Sequence, residues 1–263
     1  MIYVNYIPLV REWADKHIYY WQGANPCTEE RFKDLYSRNY DGLAFFSKSL
    51  LEYHISLGHK GIYLPFCADT SFYYPRQPES RLAFDVTYVG NDIKGTCTSM
   101  RYIYPASDFD FALFGCWNFS KKNNFHFESK AYLKKFAQIS RGRIPENDVP
   151  IMYSSAKIIL NTNVPQSRNF GVVSLRTYQV LACKGFLISD PLPGMEKELS
   201  GKVVFTEGYD DLREKIRYYL AHDEERAAIA EKGYNYVVNE AQSAEAVSNR
   251  LLTYLKEICN ERN

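Results

Sequence analysis

The sequence predicts an α/β protein built on parallel sheets. Short runs of β-branched and aromatic residues alternate with helical stretches along most of the chain, which is typical of strands joined by crossover helices. Hydrophobic residues make up 46% of the 263 residues and charged residues 24%, an ordinary globular composition that argues against disorder. A chain of this length allows one large domain or two small ones.

The first 80 residues are predicted to form a short N-terminal α/β domain with its connector. The first expected element is a helix through Glu29–Ser37, with Asn25 and Pro26 as its cap and first turn. We then expect a strand at Gly42–Phe46, a helix over Lys48–Leu57 that is capped by Ser47 and ends at Gly58, and a strand at Gly61–Phe66. The segment Cys67–Leu82 has two prolines and little periodicity, so it is predicted to be the connector to a second domain.

Residues 81–240 are predicted to form that second domain on a complete parallel sheet. We expect strands at Asp85–Gly90, Phe111–Cys116, Lys157–Asn163, Phe186–Asp190 and Lys202–Thr206, with helices that end near Tyr104, cover about Glu128–Ala137 and cover Ser174–Cys183.

Apolar stripes predict three helices in the last third of the chain. The stripes are Leu212, Ile216 and Leu220 in the first helix, Ala228 and Val237 in the second, and Val247, Leu251, Tyr254, Leu255 and Ile258 in the third, about Ser243–Asn260. The third stripe requires a partner surface.

Charge and composition exclude several classes of protein. The net charge of +1 gives no positive field for nucleic acid. No apolar run of 18 residues appears and charge comes early at the N-terminus, so we expect no membrane span, no signal peptide and a cytoplasmic location. The six cysteines and five histidines show no metal-ligand spacing, so no metal is expected.

The loop after the strand at residues 85–90 resembles a phosphate-binding loop. Gly90 and Gly95 allow close backbone approach by a ligand, and Lys94 offers a positive charge. Thr96 stands where a P-loop has lysine, and no dinucleotide fingerprint follows any strand, so an ordinary NAD enzyme is disfavoured. A plain turn with a solvated lysine remains the alternative.

A second candidate loop covers Val164–Val173. Gly171 ends this loop, and Ser174 can cap the helix that follows, which leaves free N–H groups for an anion. Arg168 and Arg176 flank the helix start and can add bidentate contacts to phosphate. The alternative is that both arginines pair with surface carboxylates.

The stretch KIILNTNVPQSRNFGVVSLRTYQVLACKGFLISDPLPGMEKEL resembles the donor-binding signature of GT-B fold glycosyltransferases (glycosyl transferases group 1), most closely the CgeB-like (spore maturation protein) family. The matching positions are Arg176, Leu181, Ala182, Cys183, Gly185 and the strand FLISD. Upstream, YLPFCADTSFYYP, DVTYVGN, FALFGCW and MYSSAKIILN resemble other family segments in the same order, so that the resemblance covers about residues 40–240.

The resemblance implies a GT-B-like fold with two Rossmann-like parallel-sheet domains. Residues 81–240 are then the nucleotide-sugar-binding domain, residues 1–80 a shortened acceptor-side domain, and residues 241–263 a helix that packs back on the N-terminal part. The implied activity is hexosyltransferase-like: a sugar passes from a nucleotide-diphospho-sugar, the co-substrate, to a glycan or another acceptor, with no further cofactor.

The resemblance also assigns site residues. Lys94, Arg101 and Arg176 are the catalytic candidates, because they can stabilise the leaving diphosphate without a metal. The donor-binding candidates are Gly90, Asn91, Arg143, Ile144, Asn163, Gly171, Val172, Val173, Ser174, Tyr178 and Gln179, with Arg143 and Ile144 near the base.

Three positions depart from the family pattern. Gln179 replaces the acid that holds the ribose hydroxyls, Tyr178 before it replaces a phenylalanine, and Lys184 replaces a glycine. A degenerate protein that binds nucleotide or glycan without turnover is therefore the alternative function. A nucleotide phosphotransferase is less well supported, because the chain has no Walker lysine and no evident pair of magnesium carboxylates.

Overall fold

The computed structural model describes residues 2–4, 10–21, 29–91, 94–117, 130–240 and 242–260. These residues form a four-stranded sheet followed by a six-stranded sheet, and the paired strands within each sheet are parallel. The predicted α/β class with two Rossmann-like sheets is confirmed.

The N-terminal sheet follows chain order. Its elements are β1 (Ile2–Val4), β2 (Ile18–Trp21), α1 (Glu29–Ser37), β3 (Gly42–Phe45), α2 (Lys48–Ser56) and β4 (Ile62–Tyr63). Ser47 caps α2 by accepting a hydrogen bond from the Leu50 N–H at 3.2 Å, as predicted. Strand β4 is shorter than predicted and ends before Pro65, which has no N–H for a sheet. Asn25 and Pro26 lie outside the described residues.

The second sheet has the order β10-β9-β8-β5-β6-β7. Its strands are β5 (Val86–Val89), β6 (Phe111–Phe114), β7 (Ser140–Gly142), β8 (Ile158–Asn161), β9 (Leu187–Ser189) and β10 (Val204–Phe205). The order of strands reverses between β5 and β8, and ligands of open parallel sheets bind at the carboxyl ends of the strands beside such a switch point.

Helices cover both faces of this sheet. They are α3 (Thr96–Tyr102), α4 (Lys130–Ile139), α5 (Asp148–Ser155), α6 (Pro165–Asn169), α7 (Leu175–Ala182), α8 (Glu196–Leu199), α9 (Tyr209–Ala221) and α10 (Asp223–Asn235), followed by a π-helical turn at Tyr236–Glu240. One core forms around Met152, Tyr178 and Leu181, and the other around Ile103, Leu212 and Ile216. Both sheet faces are therefore buried, as a parallel sheet requires.

The last helix, α11 (Ala244–Asn260), packs on the N-terminal sheet. The Tyr254 hydroxyl accepts a hydrogen bond from the Leu43 N–H at 3.2 Å, and Lys16 Nζ donates to the Ile258 carbonyl at 3.0 Å. A Cβ at Gly42 would lie 2.5 Å from Ile258 Cδ1, so glycine lets the helix approach β3. The predicted stripe thus finds its partner surface there.

Some predicted elements need correction. Ala228 is exposed, and α10 instead contributes the buried Ala230 to the core. The predicted helix near 128–137 runs over Lys130–Ile139, with its first two positions outside the described residues. Strand β7 and helix α6 were not predicted. Within the described ranges, no helix is long and apolar enough to cross a membrane.

Candidate functional site

The candidate site lies at the carboxyl ends of β5, β6 and β8, where the sheet order reverses. Gly90 and Gly115 end the first two strands, and their backbones touch. The Gly90 N–H donates to the Phe114 carbonyl at 3.0 Å, and a Cβ on Gly115 would lie only 1.8 Å from the Gly90 oxygen. Gly115 has φ +123°, which disfavours other residues. The floor of the candidate site, formed by Gly90 and Gly115, therefore consists of backbone atoms without side chains.

Side chains beside this floor join the next two loops. The Asn91 Oδ1 accepts a hydrogen bond from the Cys116 N–H at 2.9 Å, and Arg143 Nε donates to Cys116 Sγ at 2.7 Å. Arg143 is exposed, and Ile144 is half-buried against the core. The expected base-binding pair thus lies on the loop after β7, next to the loop after β6. Asp92 and Ile93 lie outside the described residues.

The second predicted loop contains the short helix α6 and then turns into α7. Gly171 has φ +61°, and a Cβ there would lie 2.2 Å from the Pro193 carbonyl oxygen, so only glycine fits this close approach. Ser174 caps α7, because its Oγ accepts a hydrogen bond from the Thr177 N–H. The predicted cap and helix are therefore present, and the first N–H groups of α7 have no acceptor within the helix.

Arg176 lies in the first turn of α7. Its Nη1 donates to Asn161 Oδ1 at 2.9 Å, and its guanidinium lies 5.2 Å from the ring centroid of the buried Tyr88. Among the described residues, no carboxylate forms an ion pair with Arg176. Its charge is therefore held in place without being neutralised, which does not support pairing with a surface carboxylate.

Lys94 is close enough to Arg176 to feel its charge. Burial first, and the positive charge of Arg176 second, lower the pKa of Lys94 to about 8, while Asp190 acts in the opposite direction. Lys94 is therefore not the fully solvated lysine of the alternative interpretation. Two cations held together in this way favour an anion between them.

Asp190, directly after β9, is fully buried beneath the site. Its carboxylate accepts hydrogen bonds from Asn163 Nδ2 at 2.8 Å, from the Asn163 N–H at 3.0 Å and from Thr162 Oγ1 at 3.2 Å, and Arg168 Nη1 lies 3.8 Å away. Burial raises the pKa of Asp190, although Asn163 and Arg168 oppose that shift. Arg168 thus pairs with a buried carboxylate, and Asn163 is bound to Asp190.

Other predicted side chains belong to the cores. Tyr178, Val172 and Val173 are buried, so only their backbones are available to a ligand. Gln179 is half-buried and lies three positions after Arg176, on the same side of α7. Arg101 is engaged elsewhere, because its Nε donates to the Glu207 carbonyl at 2.6 Å and its Nη2 to the Glu207 carboxylate at 3.2 Å.

Asn161, Asp190 and Tyr88 also belong to the site, although they were not predicted from the sequence. Each stands in or directly after a predicted apolar strand. Asn161 and Asp190 could have been found in the sequence as polar residues at the carboxyl end of a buried strand. Such strand ends line the ligand crevice of an open parallel sheet. No group of three or more metal-ligating side chains lies within the described residues.

Comparisons with known proteins agree with the observed fold. Similar solved structures include sucrose-phosphate synthase from Thermosynechococcus elongatus (TM-score 0.68, 13% identity, covering 92% of this chain and 68% of that chain). A glycosyltransferase from Rickettsia africae has a TM-score of 0.69 and 15% identity, covering 95% of this chain and 72% of that chain.

HepE from Anabaena, solved with UDP, has a TM-score of 0.70 and 11% identity, covering 92% of this chain and 72% of that chain. Another HepE structure holds UDP-glucose. Among curated protein sequences, none matches this chain. These structural likenesses establish the GT-B-like fold. Residues 101–252, more than half of the sequence, match a sequence family, and the chain therefore belongs to the glycosyl transferase-like family.

Proposed function

We propose that the protein is a glycosyltransferase that moves a sugar from a nucleotide-diphospho-sugar to a glycan or another acceptor. The observation that carries this proposal is the convergence of Arg176, Lys94 and the capped start of α7 on bare glycine backbone at the switch point. Such a surface suits a diphosphate, since it combines N–H donors with uncompensated positive charge. Membership of the family and the UDP complexes of HepE agree with this ligand.

In this proposal, the diphosphate is the leaving group. The bond from the anomeric carbon to the phosphate oxygen breaks, and the acceptor oxygen bonds to that carbon and releases its hydroxyl proton to the solvent. Negative charge grows on the departing nucleoside diphosphate. Arg176 and Lys94 would stabilise that charge, and because they are already in place, little reorganisation is needed. We propose that this enzyme works without a metal on these grounds.

The rest of the donor is assigned by placement. The base would lie near Arg143 and Ile144 on the loop after β7, and the ribose near Gln179 on α7. Arg101 is the weakest of the catalytic candidates, because Glu207 already occupies its guanidinium. We further propose a hexosyltransferase of the CgeB-like type, with the domain division at residues 80 and 81.

A calorimetric titration against UDP, GDP, TDP and CMP tests the proposal. We expect one nucleoside diphosphate to bind more tightly than CMP, since only the diphosphates can span Lys94 and the start of α7. Release of nucleoside diphosphate from the matching nucleotide-sugar then demonstrates turnover. Failure of all four nucleotides to bind contradicts the proposed donor site.

The degenerate binding protein is the second candidate function, and Gln179 favours it. Glutamine keeps the hydrogen-bonding ability of the family acid but loses its charge. Binding of a nucleoside diphosphate without release of product from any nucleotide-sugar tested favours this alternative over the transferase.

Gln179→Glu should strengthen ribose binding. A carboxylate accepts charge-assisted hydrogen bonds worth about 1.5–3 kcal/mol, against about 1 kcal/mol for neutral ones, although a nearby phosphate opposes part of this gain. We expect the preference for the ribonucleotide over its deoxyribose analogue to widen, as measured by competition binding. An unchanged preference shows that residue 179 does not touch the sugar.

Nucleotide affinity should fall at alkaline pH. Lys94, with a pKa of about 8, is a cation below that pH and attracts phosphate, and it loses its proton as the pH rises through that value. One coupled proton predicts a loss of up to about tenfold in UDP affinity between pH 7 and pH 9. Titrations at both pH values measure this loss. A Lys94→Gln variant should show a flat profile, and an equal slope in that variant contradicts the assignment.

A further inference from the structure

We propose that Asp190 is a positioning residue that orients Arg176 through a relay of two side chains, Ser189 and Asn161. The relay runs from the carboxylate to the guanidinium in three hydrogen bonds. Ser189 Oγ donates to Asp190 Oδ1 at 3.2 Å, Asn161 Nδ2 donates to Ser189 Oγ at 3.2 Å, and Arg176 Nη1 donates to Asn161 Oδ1 at 2.9 Å. The role in ligand binding rests on the proposed function, whereas the relay itself does not.

The carboxylate fixes the direction of every bond in the relay. An ionised carboxylate only accepts, so the single hydroxyl proton of Ser189 points to Asp190, and the serine oxygen must accept from its other neighbour. That neighbour is the amide of Asn161, whose NH₂ group therefore faces Ser189. The amide oxygen then faces Arg176, where it also accepts from the Ser174 hydroxyl at 3.3 Å. Asp190 thus determines that Arg176 meets an acceptor.

Burial makes this arrangement rigid. Asp190, Ser189 and Asn161 are each at most 2% exposed, so water does not compete for their hydrogen bonds. Asn163 and Thr162 donate to the remaining lone pairs of Asp190, so every neighbour that bonds the carboxylate within the described residues is a donor. If asparagine replaced Asp190, its NH₂ group would therefore face another hydrogen-bond donor in either orientation of the side-chain amide.

Ser189→Ala breaks the relay while the buried carboxylate stays in place. We expect UDP affinity to fall by about five- to twentyfold, because the Asn161 amide then loses the bond that holds its NH₂ group and no longer fixes the Arg176 guanidinium in one orientation. In an Arg176→Ala background the same substitution should change affinity by less than about twofold, because the residue that the relay orients is gone. Asp190→Asn should give the same pattern and serves as the second variant.

Thr162→Val is the matched control. Thr162 Oγ1 donates to the same carboxylate at the same 3.2 Å as Ser189 Oγ, but it is not on the path to Asn161. We expect a loss of stability similar to that of Ser189→Ala and UDP affinity within about twofold of the wild type. A loss of affinity equal to that of Ser189→Ala would assign the effect to general damage and overturn the proposal.

A urea-unfolding cycle without ligand separates this proposal from the proposed function. If the relay exists, the effects of Ser189→Ala and Arg176→Ala on stability are not additive, since both remove support from the same Asn161 amide. Additive effects overturn the relay whether or not any nucleotide binds. If the variants show this coupling but the wild-type protein binds no UDP, the relay exists but UDP is not the ligand. The proposed role of the relay in UDP binding is then wrong.

Discussion

Gly115→Ala is expected to be strongly destabilising. The added Cβ would lie 1.8 Å from the Gly90 carbonyl oxygen, and the backbone has φ +123°. Overpacking against rigid backbone together with an unfavourable dihedral predicts a loss of roughly 3–5 kcal/mol in the free energy of unfolding. Urea unfolding measures this loss as a lower midpoint at unchanged slope.

Gly201→Ala provides the control for that experiment. Gly201 also has a positive φ, +69°, but a Cβ there meets no atom within 4 Å. Only the cost of placing alanine at a positive φ remains, and we expect the free energy of unfolding to fall by about 1 kcal/mol. Similar losses at both positions would show that the contact between Gly90 and Gly115 carries little of the strain.

Arg176→Ala is expected to have the largest effect on ligand binding. If Arg176 makes a charge-assisted bond to phosphate, its removal weakens nucleoside diphosphate binding by roughly 1.5–3 kcal/mol, or about ten- to 150-fold. The affinity for a nucleoside without phosphate should stay the same. Calorimetry with UDP and uridine measures the two affinities, and unchanged UDP binding would assign Arg176 to a structural role.

Arg81→Ala separates this effect from a change in overall charge. Arg81 pairs with Asp148 at 2.9 Å on the side of the sheet that holds α5, and its removal changes the net charge by the same amount. We expect no change in UDP affinity. Arg176→Lys should fall between the wild type and alanine, because lysine keeps the charge but loses the two-pronged geometry of arginine.

The fold could be predicted where strands are buried on both faces. The residues of β5, β6, β8 and β9 are apolar enough to predict strands from the sequence alone. The glycines and capping residues beside α2 and α7 predict where those helices begin and end. Strand β7 shows no such run, because it lies at the edge of the sheet and consists of Ser140, Arg141 and Gly142. An edge strand needs only one neighbour, so its sequence carries little pattern.

The candidate site could be predicted only in part for a related reason. Glycines and basic residues in loops indicate an anion site, and Lys94, Ser174 and Arg176 are found at the switch point. Pairings between distant loops leave no trace in one sequence. Arg101 pairs with the carboxylate of Glu207 and Arg168 with that of Asp190, whereas Arg176 bonds the neutral amide of Asn161. These partners determine that Arg176 is the arginine whose charge is not neutralised. They become visible only in the folded chain.

The position of α11 has a consequence for how the protein matures on the ribosome. Leu43 and Tyr254, which join β3 to α11, are 211 positions apart in the chain. At about 5–20 residues per second, roughly 10–40 s separate the synthesis of that strand from the synthesis of the helix that covers it. During this interval the apolar face of the first sheet stays uncovered and can associate with other nascent chains or bind a chaperone. The elements that build the cores of the six-stranded sheet all precede α11 in the chain. The half of the molecule that is made second is therefore the first to have its whole core synthesised.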